Sequence, residues 1–154
     1  MTPSWAIEAL LEYVDVNGLR VLEPCAGDGV IVRALEAQGA IVTASDITDG
    51  VDFLTTEYTD RFDYVITNPP YRLAQEFVTK AMDVAGGVVM LLRLGFLAGQ
   101  KRKAWWDEHR PTGIYILSRR PSFTGKGTDS ADYAWVMWRS SNEKGSRLTT
   151  MRWL

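Results

Sequence analysis

Residues 19–29 read Leu19-Arg20-Val21-Leu22-Glu23-Pro24-Cys25-Ala26-Gly27-Asp28-Gly29, a short apolar run that passes directly into a turn carrying two glycines. Val30 to Gln38 follows with helical spacing, and Gly39 stands where a C-cap belongs. Strand, glycine turn and helix in that order open a doubly wound α/β domain, whose ligands bind beyond the carboxyl ends of its strands. Upstream, Ile7, Leu10, Leu11 and Val14 predict a helix over Trp5–Val14, with Thr2-Pro3-Ser4 supplying its cap and first turn. Downstream, strands are predicted at Ala40–Ser45 (ending at Asp46) and, past an optional short edge strand at Val51–Leu54, at Phe62–Thr67. The last of these must stop at Pro69-Pro70, because proline removes ladder donors and fixes φ.

The alternation continues. Leu73–Ala85 reads as a helix and Gly87–Leu92 as a strand of unbroken apolar character, the pattern of a parallel sheet covered on both faces. Gln100–His109 is a further helix, Ile114–Leu117 and Tyr133–Trp138 are strands around a polar loop at 119–132, and 147–154 adds a terminal strand. The expected fold is α/β: one domain built on a doubly wound, mostly parallel, Rossmann-like sheet of seven strands.

Composition narrows the classes. With 154 residues, 46% hydrophobic and 23% charged, the chain matches ordinary globular usage and excludes disordered or collagenous classes. No apolar run reaches the roughly 18 residues a membrane span needs, and no basic region followed by an apolar stretch opens the chain. A cytoplasmic location is expected. One cysteine and one histidine leave too few soft ligands for zinc, so no metal site is expected. The net charge of −2 conceals an asymmetry: residues 1–63 hold 12 acidic and 3 basic side chains, residues 64–154 hold 7 and 14. Lys101, Arg102, Arg119, Arg120 and Lys126 bunch in the basic half, with Phe123 among them, and form the candidate nucleic-acid contacts.

Three strand ends carry the chemistry. The glycine turn lets backbone approach a ligand closely, but it lacks a phosphate-loop lysine, and its acidic residues Glu23 and Asp28 repel pyrophosphate. Asp46, at the next strand end, is placed to accept hydrogen bonds from ribose hydroxyls. Together they favour a nucleoside bearing an ammonium or sulfonium group. Asn68-Pro69-Pro70-Tyr71 offers carbonyl acceptors beside the Asn68 side chain, suited to the hydrogens of an amino group, with an aromatic face next to them for a planar substrate.

These motifs resemble the class I S-adenosylmethionine-dependent methyltransferases. Within that class the chain is similar to the amino-methyltransferases with an Asn-Pro-Pro-Tyr motif, especially small phage and prophage DNA adenine-N6 methyltransferases. The likeness runs through Thr2-Pro3 (motif X), Val21–Gly29 (motif I), Ser45-Asp46 (motif II), Asp52-Phe53-Leu54 (motif III) and Thr67–Tyr71 (motif IV). Arg93-Leu94-Gly95-Phe96-Leu97, residues 119–125 and Tyr133-Ala134-Trp135 also look like the phage-type members. The resemblance implies a cofactor site in which Glu23, Ala26, Gly27 and Gly29 surround the methionine part of S-adenosylmethionine. Asp46 would hold its ribose and Asp52 and Phe53 its adenine, with Thr2, Pro3, Asp28, Ile47 and Asn68 completing the set. It implies that Asn68 and the Pro69 carbonyl bind the target amine, that Pro70 shapes the turn, and that Tyr71 stacks on a base flipped out of the helix.

DNA is the partner the resemblance implies. RNA adenine, a cytosine amino group, a protein glutamine, and a non-catalytic cofactor-binding or nucleic-acid-binding module remain alternatives, because motif IV is shared among amino-methyltransferases. The sequence leaves no room for a separate target-recognition domain, so recognition is expected to be short or weak, or to need a second subunit. Cys25 is expected to be a packing residue and His109 a helix-terminal cation. Of Trp105 and Trp106, adjacent on a helix, one is expected to pack and the other to be exposed.

Overall fold

The computed structural model describes residues 2–123, 127, 129–139 and 150–154. Among them, seven strands form one sheet: β1 (Arg20–Glu23), β2 (Ile41–Ala44), β3 (Phe62–Thr67), β4 (Ala85–Arg93), β5 (Gly113–Ile116), β6 (Tyr133–Arg139) and β7 (Thr150–Trp153). Their order is β2-β1-β3-β4-β6-β5-β7, and only β6 runs antiparallel to its neighbours. This is the expected mostly parallel, doubly wound sheet of seven strands. From β1 the chain first moves outward to β2 and then returns to place β3 on the other side of β1. The topological switch point therefore lies between the carboxyl ends of β1 and β3, where such sheets open a crevice.

Period-2 alternation divides the sheet residues between two cores. Val88, Met90 and Leu92 of β4 face one cluster, which includes Phe77, Val78 and Ala81 of helix α3 (Ala74–Val84). Val89 and Leu91 face the other, with Ile7 and Leu10 of α1 (Ser4–Leu11) and Ile31 and Leu35 of α2 (Val30–Ala37). Burial on both faces accounts for the unbroken apolar run in β4. Trp135, fully buried in β6, donates its indole N–H to the carbonyl of Ala6 across 2.7 Å and fastens α1 to the sheet. No helix among the described residues is long and apolar enough to cross a membrane.

The sequence expectations differ from the fold at particular places. Residues 51–54 form a turn, not an edge strand: the Asp52 carboxylate accepts from the Leu54 amide at 2.9 Å and its carbonyl accepts from Thr56, which closes the chain on itself. At the opposite edge the expected terminal strand is present as β7, pairing parallel with β5. The helix expected over residues 100–109 is a 3-10 turn, Gln100–Arg102, followed by the short α4 (Lys103–Glu108). Trp105 and Trp106 both pack, with ring centres 4.9 Å apart and both rings against Phe96, because one turn of helix at the rim of a core lets adjacent large rings wrap its edge. His109 follows that turn, its ring stacked on Trp105 at 4.7 Å.

Candidate active site

The glycine turn takes its shape from backbone that only glycine adopts readily: Gly27 and Gly29 have φ of +50° and +75°. It is held from beneath and from the side. Glu23, fully buried at the end of β1, accepts from the Cys25 amide at 2.8 Å and from the Thr67 hydroxyl at 2.6 Å. The second bond ties the ends of β1 and β3 together at the switch point. Burial pushes the Glu23 carboxyl up to about 8, against the pull of these two hydrogen bonds. Its other oxygen, Oε2, has no partner among the described residues.

From the side, Asp46 staples the turn to the end of β2. One carboxylate oxygen accepts from the Gly27 amide at 2.9 Å and the other from the Thr48 amide and hydroxyl at 2.9 and 2.8 Å. The Thr48 bond foremost holds the carboxyl below the usual range. Two carboxylate oxygens offer about four acceptor positions, so capacity remains for a ligand hydroxyl.

Above the turn lies a cavity of about 500 Å³. Of the residues predicted for a cofactor, Thr2, Ala26, Gly27, Asp28, Asp46, Ile47, Asp52, Phe53 and Asn68 line it. Glu23, Pro3 and Gly29 do not: Glu23 is buried beneath the turn, Pro3 caps α1 and Gly29 caps α2. The structure adds, among others, Cys25 and Leu54 from within the quoted motifs, Val51 beside them and Phe77 from α3. Phe53 is buried with its ring 5.1 Å from that of Phe77, an apolar end suited to a purine, opposite the polar turn. Burial raises the Cys25 thiol to about 12, which keeps it neutral and fits a packing residue. A carboxylate with spare acceptors, a close-approach glycine turn and an apolar end form a donor set that fits a nucleoside with a charged tail, and so fits S-adenosylmethionine. No group of acidic, cysteine or histidine side chains among the described residues suits a metal ion.

Motif IV completes the site. Asn68 and Pro70 line the cavity, whereas Pro69 is buried beside them. The Asn68 amide nitrogen donates to the Thr2 hydroxyl at 3.0 Å, while its carbonyl oxygen is buried without a partner among the described residues. That oxygen is an acceptor at the cavity wall that a donor on a ligand can satisfy. Tyr71 stands in a cluster with Tyr133 and Phe123, ring centres 5.5 and 6.3 Å away. Burial, reinforced by Tyr133, pushes its hydroxyl far above the ordinary tyrosine range, so it is no base at neutral pH.

The predicted nucleic-acid contacts are scattered. Lys101 is exposed on the 3-10 turn, and Arg102 lines a second cavity beside Tyr71. Arg119 lies over the Trp5 ring at 4.1 Å, and Arg120 is paired with Asp132 at 2.8 Å. Phe123 packs into the Tyr71 cluster. Lys126 lies outside the described residues.

No protein-family model matches the chain, and no curated protein matches it. Solved structures do. A type I restriction-modification methyltransferase subunit from Streptococcus thermophilus aligns with a TM-score of 0.70 at 16% identity, covering 99% of this chain and 47% of that one. A putative class I S-adenosylmethionine-dependent methyltransferase from Listeria monocytogenes aligns at 0.66 and 15% identity, over 100% of this chain and 65% of that one. A putative RNA methyltransferase from Pyrococcus horikoshii aligns at 0.64 and 16% identity, over 88% and 81%. The chain thus has the fold of the Rossmann-like class I methyltransferases, and spans less than two thirds of the first and second of these neighbours.

Proposed function

We infer that this protein transfers a methyl group from S-adenosylmethionine to the exocyclic N6 amino group of adenine in DNA. The observation that carries the reading is the buried, unpartnered Asn68 carbonyl oxygen, which lines a cavity fitted to that cofactor. Bound there, S-adenosylmethionine supplies an electrophilic methyl group on a sulfonium. The protein's part is positioning and electrostatics. Asn68 Oδ1 and the Pro69 carbonyl accept the two amine hydrogens, which favours a pyramidal nitrogen and stabilises the positive charge that grows on it. Thr2 bonds the Asn68 amide nitrogen and so holds the side chain at the cavity wall. Tyr71 stays protonated and gives an aromatic wall to a base brought out of its stack.

The fold likeness to a restriction-modification subunit supports DNA, and the likeness to an RNA enzyme keeps RNA as the second reading. Asn68→Ala tests the assignment. Methyl transfer should be lost while calorimetric affinity for S-adenosylmethionine stays within a few-fold; undiminished turnover removes motif IV from the mechanism.

A further inference from the structure

A second cavity, of about 560 Å³, opens beside the first, lined by Tyr71, Arg72, Leu92, Arg93, Phe96 and Arg102 among others. Asn68 and Pro70 border the first cavity and Tyr71 borders this one, so the motif IV turn belongs to both. Three arginines line it and, among the described residues, no aspartate or glutamate does. Arg72 is exposed, with no ion pair or hydrogen bond to its side chain among the described residues. Arg102 is anchored by one nitrogen to the carbonyls of Phe96 and Ala98, each at 3.3 Å, with its guanidinium 4.7 Å from the Phe96 ring centre. Arg93 donates to the Tyr133 hydroxyl at 3.0 Å and lies 5.1 Å from the Tyr71 ring centre. Its carboxylate partner among the described residues, Asp129, is 3.6 Å away.

Gathering like charges around one concave site works against stability unless an anion answers them. Planar guanidinium forks match the oxygens of phosphate, and two of these forks are held in place by carbonyls, a hydroxyl and aromatic faces. Tyr71 and Phe96 give the same cavity apolar walls suited to a base or sugar. A glutamine side chain presented by a protein has no negative charge to answer three arginines. We propose that this cavity grips the phosphodiester backbone on both sides of the nucleotide whose amine reaches Asn68, with Arg72, Arg93 and Arg102 as the phosphate contacts. The acceptor is then a nucleic-acid strand, and the cationic grip is centred on residues 72–102, not on the loop at 119–132. The proposal rests on the methyl-transfer reading and adds to it where the strand's phosphates are held.

The test measures binding of a fluorescein-labelled single-stranded oligonucleotide by anisotropy across a salt series. It also measures methyl labelling of the same strand by the cofactor-loaded protein. Arg72→Gln and Arg102→Gln should each lower the slope of log affinity against log salt by roughly 0.7 and raise the KM for the strand, leaving the Kd for S-adenosylmethionine unchanged. Arg20→Gln, at the amino end of β1, should change neither. Labelled DNA with an unaltered slope and KM in both cavity variants overturns the phosphate grip and leaves the methyl-transfer reading standing. An arginine-dependent slope on a strand that receives no methyl group supports the grip and overturns the adenine reading.

Discussion

The side chain of Asn68 is bonded to that of Thr2 across 3.0 Å, although 66 positions separate them in the chain. The bond holds the Asn68 side chain at the cavity wall, with its nitrogen engaged and its oxygen left. Removing the Thr2 acceptor frees the amide to turn. Thr2→Val should therefore lower kcat about tenfold, the value of one well-made hydrogen bond. Thr2→Ser should restore it. Equal losses in kcat and in cofactor affinity for Thr2→Val would reduce Thr2 to a wall of the cavity.

Glu23 makes stability depend on pH in a direction opposite to that of most carboxylates. Its folded pKa, about 8, exceeds the ordinary value of 4.5, so folding takes up a proton between those limits. Stability from this group is complete below about pH 4.5 and is lost as the pH rises through about 8. Glu23→Gln keeps an oxygen for Cys25 and Thr67 and removes the titration. Its melting temperature should match the wild type near pH 5 and exceed it near pH 9; parallel curves would show Glu23 ionised throughout.

Asp46 joins the turn to β2 through charge-assisted bonds to Gly27 and Thr48. In Asp46→Asn an amide nitrogen faces one of those donors, and the carboxylate proposed to hold the ribose is lost. Affinity for S-adenosylmethionine should fall roughly tenfold to a hundredfold by calorimetry, or about 1.4–2.8 kcal/mol. A smaller change would place the ribose elsewhere.

Gly87, in β4, lies beneath the Tyr64 ring of β3, so near that an added methyl group would collide with it. The Tyr64 hydroxyl is held in turn by Arg139. Gly87→Ala should destabilise the fold by about 1–3 kcal/mol in denaturant unfolding, with cofactor affinity per folded molecule unchanged.

The parts of this molecule that were legible in the sequence are those set by short-range rules. Pro69-Pro70 ends β3 because proline cannot continue a ladder, and the unbroken apolar run at 87–92 marks a strand buried on both faces. Asp52 misled the reading of 51–54, because its side chain closes a turn that period-2 patterning does not show. Glu23 was expected at the ligand, yet the turn folds over it; no sequence signal separates a carboxylate beneath a loop from one facing the cavity. Nothing in the sequence marks Arg72 and Arg93 as nucleic-acid contacts, because they stand apart from the basic bunches in the chain and meet only across β3, β4 and the turn after Asn68.

The reaction proposed for Asn68 is methyl transfer to an adenine amine. Its most direct measurement incubates the protein with isotopically labelled S-adenosylmethionine and, separately, duplex DNA, single-stranded DNA and RNA, then digests each and identifies the modified nucleoside by mass spectrometry. The predicted result is N6-methyladenine in DNA. Label confined to RNA or to protein, or no label while calorimetry shows the cofactor bound, would contradict it.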